Sequence, residues 1–297
     1  MRTFSHPGYK RFLLSVGCLL SIHFTALFFL TLFRLVFFFS ANYDFPDQEH
    51  VGFMSIWPAF IRGVWFDNVI ACYILLIPLV AVSISALFNY YGKILWNVTC
   101  IFFSLFYGIV LLVTAANIPY FQYFFKIINS SVFNWFGYMN TTAGMVFGET
   151  SYYPPLIGFL LTLVLFIWLM RRLIRHFQCL LNTKNPSVFW LDRIYIFLTA
   201  GICIGLCLFG IRGRTGYNPI KVSAAYYCTD PFLNQLGISP VFNLLSSTLD
   251  DSRKENRYLH LMPENEALEN TRHYLNRPGI EGISPIARQI NASDSLR

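Results

Sequence analysis

The sequence predicts an all-α fold: a polytopic membrane protein with five transmembrane helices, an aromatic interfacial outer loop and a helical extracytoplasmic linker. Three observations carry this. Of 297 residues, 55% are hydrophobic and only 12% charged, against roughly 25% charged in a soluble domain. The apolar residues, among them 31 phenylalanines, gather into five runs close to the ~20 residues a helix needs to cross the ~30 Å hydrocarbon layer. The basic residues fall in alternate loops between those runs. Disordered, collagenous, coiled-coil and disulfide-stapled secreted classes are excluded by the same composition.

The five spans cover about 12–39, 69–88, 94–118, 152–170 and 194–211. They make a membrane domain over 1–211, followed by a linker over 212–297. The first span has a basic start (Arg2, Lys10, Arg11), but its apolar run is too long for a signal-peptide core, so it reads as a retained anchor. With the N-terminus in the cytoplasm, nine basic residues lie inside: Arg2, Lys10, Arg11, Lys93, Arg171, Arg172, Arg175, Lys184 and Arg193. The short outer loops hold two, Arg62 and Lys126. That asymmetry sets the orientation, and the odd number of spans places the C-terminus outside. The net charge of +7 therefore reports topology and implies no nucleic-acid partner. The cluster Arg171, Arg172, Arg175 and His176 reads as a stop signal that also suits anionic lipid heads.

The outer segment Pro119–Ser151 carries ten aromatic residues, Tyr120, Phe121, Tyr123, Phe124, Phe125, Phe133, Trp135, Phe136, Tyr138 and Phe147, with only Lys126 and Glu149 charged. Such a segment lies in the headgroup layer as an interfacial helix or re-entrant element. It reads either as an aromatic belt or as the wall of a groove for a lipid-borne substrate. Asn129 and Asn140 open glycosylation sequons, which matter only in a eukaryotic secretory pathway. Two ionisable residues stand at the outer ends of spans: Arg34 inside the first apolar run and Asp67 just before the second. They read as a helix-orienting ion pair, with a lipid-headgroup contact of Arg34 as the alternative, because an unpaired charge at that depth is costly. His23, in mid-span, is expected to hydrogen-bond a neighbouring helix. None of the seven cysteines forms a CxxC pair, and Cys203 with Cys207 at i, i+4 lacks further ligands. No HExxH, GxSxG or phosphate-binding loop is present, and no span centre holds an acid. No residue is therefore a candidate catalytic, cofactor-binding or metal-binding group. In the linker, Asp230-Pro231 and Ser239-Pro240 each pair an N-cap with proline at N1 and open short helices. A third helix begins at Pro263 and runs towards Asn276, before Pro278.

Three stretches carry a family resemblance. Arg62-Gly63-Val64-Trp65-Phe66-Asp67-Asn68-Val69-Ile70-Ala71 is similar to a G-x-R-F-D segment at the entry into span two, with Trp65 in place of the usual Arg. Arg212-Gly213-Arg214 with Asn218-Pro219-Ile220 and Ala224-Ala225-Tyr226 resembles an R-G…R-P-I segment after span five, with Asn218 where Arg is common. Pro240-Val241-Phe242-Asn243-Leu244-Leu245 resembles the helix that leads to the catalytic domain. Together they resemble the membrane part of bacterial lipoteichoic acid synthase-like proteins of the sulfatase/alkaline phosphatase superfamily. The resemblance implies a bacterial cytoplasmic membrane protein, with membrane lipids and a lipid-linked or envelope substrate as partners. The implied chemistry is phosphoglycerol or phosphoethanolamine transfer, or sulfate or phosphate ester hydrolysis. The Ser or Thr nucleophile and the divalent metal (Mn, Mg, Ca or Zn) that such chemistry uses are expected in a catalytic domain beyond this chain. The alternative is a non-catalytic polytopic scaffold or assembly protein.

Overall fold

The computed structural model describes residues 6–41, 53–138, 140, 144, 148–181, 190–253 and 262–275. Arg2, Phe147, Lys184, the rest of the Asn140 sequon and the Asn276–Pro278 stop lie outside them. The chain divides into two compact units, Met1–Thr248 and Leu249–Arg297.

Five long helices build the first unit: α1 (Pro7–Ser40), α2 (Phe53–Leu87), α3 (Lys93–Phe124), α4 (Tyr153–Leu181) and α5 (Trp190–Arg212). All five are long and apolar enough to cross a membrane, consistent with a multi-pass membrane protein. Two short helices follow, α6 (Pro231–Leu236) and α7 (Pro240–Ser252), the latter running past the unit boundary. Short 3-10 segments occupy Ser130–Tyr138, Thr150–Tyr152 and Val222–Ala225. In the second unit, α8 spans Glu264–Leu275, with Glu264 and Glu266 in its first turn and Arg272 and His273 in its last, the charge order that suits a helix dipole. No strand occurs among the described residues.

The helices are longer than the apolar runs that signal them. At 1.5 Å per residue, 23-residue α5 is about 35 Å long, close to the ~30 Å hydrocarbon layer, whereas 35-residue α2 is about 52 Å. Helix α3 continues through Pro119, where the sequence suggests an end, and stops at Phe125 in a left-handed conformation whose N–H bonds Phe121 O. A proline removes one backbone hydrogen bond, which membrane helices tolerate when neighbours meet the freed carbonyl.

Helix α1 packs against all four other long helices and so forms the centre of the bundle. Its buried face, including Phe12, Leu19, Ile22 and Phe29, joins Trp96, Phe103, Tyr107, Phe166 and Met170 in one core. The Phe166 ring meets Phe29 and Tyr107 edge-on at 6.1 and 5.3 Å. In lipid, apolar burial between helices drives little association, so close packing and interhelical hydrogen bonds decide the arrangement. Helix α1 carries polar pins at four levels. At its start, the fully buried Asp192 of α5 accepts from the Gly8 N–H (3.3 Å) and bonds His6 Nδ1 (2.7 Å), which caps α1 from another helix. One turn later, Arg11 donates through Nε and Nη2 to the last carbonyl of α4, Leu181 O (3.2 and 2.7 Å). At mid-helix, His23 Nε2 bonds Asn68 Oδ1 of α2 at 3.0 Å. The fourth level is Arg34.

The Asp192 pin predicts its own test. Asp192→Ala leaves the first-turn N–H of α1 without its acceptor, at a cost of about 1–3 kcal/mol. Thermal unfolding in detergent should fall by several degrees, and less for Asp192→Asn, which keeps an acceptor. An unchanged midpoint for Asp192→Ala would show that the pin carries no stability.

Candidate functional site

At the far end of α1 from Asp192, Arg34 and Asp67 meet. Arg34 Nη1 donates to Asp67 Oδ2 at 2.7 Å, and Nε donates to Leu236 O, the last residue of α6, at 3.0 Å. Arg34 is 5% exposed and Asp67 2%. The guanidinium lies against the backbone of Gly63, where any Cβ would overlap its Nε and Cζ atoms. Gly63 and Asp67 are one helical turn apart on α2 and hence on one face. One residue opens a slot and the other lines it with a carboxylate. Both acceptors sit where a cation is favoured, one ionised and one at the carbonyl end of a short helix.

The rest of that α2 segment binds the chain after α5. Arg62 Nε donates to Ala224 O (3.2 Å), and its guanidinium lies 4.5 Å above the Tyr227 ring. Burial, more than its charged neighbours, pushes the Tyr227 phenol above its ordinary range, so it stays protonated and donates to Ser55 O at 2.6 Å. The Trp65 indole donates to Gly213 O. Gly213 has a φ of +73° and abuts Ile220 and Val69, a position that needs glycine on both conformational and steric grounds. Phe66 is fully buried, 4.8 Å from the Phe242 ring of α7. Arg212 and Arg214 fold the intervening loop: Arg212 Nη2 donates to Tyr217 O (2.7 Å), Arg214 Nε to Asn218 O (2.6 Å), and Ile220 N returns to Arg212 O. Asp230 caps α6 by accepting from Leu233 N at 2.8 Å.

Two cavities flank the segment that follows α3. One, about 570 Å³, is a groove between the end of α3, the 3-10 segment Ser130–Tyr138 and the start of α4. Its walls include Ala116, Tyr120, Phe124, Ile128, Trp135 and Phe159. The other, about 470 Å³, is a more open chamber of mixed character, lined by Lys126, Asn129, Gln235 and Asn243 together with the apolar Val222 and Ile238, among others. The wall between them is Ile127–Asn129. Ile128 faces the groove, and Ile127 and Asn129 face the chamber. This segment is neither helix nor strand, yet Ile127 and Ile128 are buried. Side chains supply its hydrogen bonds: Ile127 N donates to Gln235 Oε1 (3.2 Å), Ile128 N to Asn117 Oδ1 (3.0 Å) and Ser130 N to Ser247 Oγ (2.9 Å). Asn243 Nδ2 donates to Ile128 O (2.9 Å). Three of these four partners come from α6 and α7, so the chain after α5 fixes the shape of both cavities.

The structure thus brings Arg34 and Asp67 together, away from lipid. Of the outer-loop aromatics, Tyr120, Phe124 and Trp135 stand in the groove wall, while Phe121 turns into the core against Phe37 and Phe232. Sequence reading does not find Asn117, Gln235 or Ser247, and it names Gly63 and Asn243 only as members of the resembling stretches, with no role. Asn117 has a signal, as an amide in an uncharged span that is 1% exposed in the fold. The others look like ordinary surface residues. Among the described residues, no three His, Cys, Asp or Glu side chains are grouped to hold a metal ion. No protein-family model, curated protein or solved structure matches the chain.

The slot at Gly63 predicts strong coupling between its two charges. Removing one partner of a buried pair costs about 3–5 kcal/mol. Asp67→Asn and Arg34→Gln should each lower the unfolding midpoint, and the double variant should lose clearly less than their sum. Strict additivity in that cycle would mean that the two charges do not stabilise each other.

Proposed function

We propose that this chain is the membrane anchor and lipid-substrate-presenting domain of a lipoteichoic acid synthase-like phosphoglycerol or phosphoethanolamine transferase, or sulfatase. It sits in a bacterial cytoplasmic membrane with its N-terminus inside and its C-terminus outside. The observation that carries this reading is the convergence of the three stretches on which the resemblance rests. Residues 62–71, 212–226 and 240–245 are far apart in sequence. They meet through Arg62 with Ala224, Trp65 with Gly213 and Phe66 with Phe242. Segments that share one contact surface are constrained together, as a domain-specific signature would be. The aromatic groove beside them supplies the second half of the reading, a place for the tail of a lipid substrate. Holding a headgroup and a tethered nucleophile on one surface converts an encounter in two dimensions into a positioned, effectively unimolecular step.

Two measurements test the reading. Alkaline phosphatase fused after Lys93 or Leu181 should be inactive and fused after Leu249 active, as the basic-loop asymmetry requires; activity at Leu181 would invert the topology. The reading frame beyond the codon for Arg297 should continue into a strand-rich domain with a Ser or Thr nucleophile and an Asp, Glu and His ligand set. The protein purified from its own cells should then show metal-dependent headgroup transfer or ester hydrolysis. A stop codon at that point would favour the non-catalytic scaffold.

A further inference from the structure

We infer that Cys72 and Cys207 are an oxidisable dithiol: a lipid-soluble quinone takes their two electrons and two protons, and the disulfide that forms clasps α2 to α5 inside the membrane. The site lies apart from the two cavities and the Arg34 slot, and it stands whether or not a catalytic domain follows. In the sequence, the nearest cysteine to Cys207 is Cys203, one turn away on the same helix. Side chains so placed keep their Cβ atoms about 5–6 Å apart, beyond the roughly 3.5–4.5 Å that a disulfide spans. The fold gives Cys207 a different neighbour. Its thiol donates to the Cys72 backbone carbonyl at 3.3 Å, and the two thiols are close enough to share a hydrogen bond. Both residues are buried, Cys72 6% and Cys207 5% exposed.

Gly210 explains why they meet. It stands one turn after Cys207 on the same face of α5. A Cβ there would come within 2.5 Å of Cys72 Sγ and 3.5 Å of Cys72 Cβ, so the Cys72 thiol fills the space that the missing side chain leaves. The same Cβ would lie 3.7 Å from Asn68 Nδ2, one turn earlier on α2. Helices α2 and α5 thus cross closely here, and no pair of helices among the described residues packs more extensively. Close backbone approach is what a disulfide between helices requires, since the Cα atoms it joins are usually roughly 4.4–6.8 Å apart. The other contact of Cys72 Sγ is a long one, to Asn68 Oδ1 at 3.8 Å. A thiol is a weak donor, so little is given up when sulfur bonds to sulfur.

The pair is reached from lipid. Cys72 lies five residues from Asp67 along α2 and Cys207 five from Arg212 along α5, about 7.5 Å inward in each case. The α5 residues beside Cys207 face outward, with Leu206 66% and Leu208 50% exposed, so hydrocarbon is one side chain away. A quinone partitions into that layer and water-borne oxidants do not. In the reaction two S–H bonds break and one S–S bond forms. Both electrons and both protons pass to the quinone, which leaves as the hydroquinone. The product lies just inside the Trp65–Gly213 bond and fixes the two helices whose ends carry that contact.

The test uses the purified full chain, reduced with a phosphine, reconstituted into phosphatidylcholine vesicles and exposed to decylubiquinone. Alkylation under denaturing conditions should trap seven cysteines before treatment and two fewer after it. The peptides holding Cys72 and Cys207 should be joined, and the intact mass lower by about 2 Da. Cys72→Ser and Cys207→Ser should each abolish the loss, whereas Cys203→Ser should leave it intact. Ferricyanide, which stays in the water, should oxidise the pair at least about tenfold more slowly. The oxidised chain should unfold several degrees above the reduced one, because the crosslink restricts the unfolded chain, and Cys207→Ser should remove that increase. Undiminished alkylation after decylubiquinone, a crosslink that holds Cys203 in place of Cys207, equal rates with ferricyanide, or a crosslink that leaves the midpoint unchanged would each overturn the proposal.

Discussion

A guanidinium buried at the end of a membrane helix needs a countercharge and a further acceptor, and the way Arg34 meets that demand organises the structure around it. Asp67 supplies the countercharge, Leu236 the carbonyl, and Gly63 the space. Because the two acceptors belong to α2 and α6, one side chain fastens the central helix to its neighbour and to the chain that follows the fifth span. Gln235, the residue before Leu236, then holds Ile127, and Asn243 and Ser247 on α7 hold Ile128 and Ser130. A constraint that begins as the cost of an unpaired charge thus extends to the wall between two cavities.

The two ends of the bundle use the same physical device for different purposes. At the Asp192 end, a buried carboxylate caps α1, and Arg11 holds the carbonyl end of α4. These contacts close helix termini. At the Arg34 end, the corresponding contacts are spent on irregular backbone, the segment from Phe125 to Ser130 and the loop from Gly213 to Ile220. Irregular backbone near lipid persists only where side chains satisfy it, and here Asn117, Gln235, Asn243, Arg212 and Arg214 do so. Regular helices need no such help. Side-chain-to-backbone bonds are concentrated at that end because its backbone is irregular.

Much of the helical plan was legible in the sequence because it depends on a one-dimensional quantity, the length of uncharged apolar runs. Helix ends were less legible. Pro119 suggests a stop, yet α3 continues to Phe124, and α2 begins at Phe53, well before its uncharged run at Val69. The segment between carries Arg62 and Asp67, whose charges are engaged within the fold instead of facing water. Arg34 and Asp67 stood out because opposite signs at the same end of adjacent antiparallel spans have few other solutions. Their third partner, the Leu236 carbonyl, was invisible, since a backbone acceptor has no letter in the sequence. The same holds for the wall at Ile127–Asn129: its supports are amides scattered over α3, α6 and α7, and only the folded chain assembles them.

The central claim is that the Arg34 slot fixes the cavity wall and the chain beyond α5 as one unit. Hydrogen exchange on Gly63→Leu, which expels the guanidinium from its slot without touching the wall, tests it most directly. The account predicts faster exchange at both 126–131 and 231–243, with protection in α4 unchanged. Unchanged protection in those two segments would contradict it, and the wall would then be held independently of Arg34.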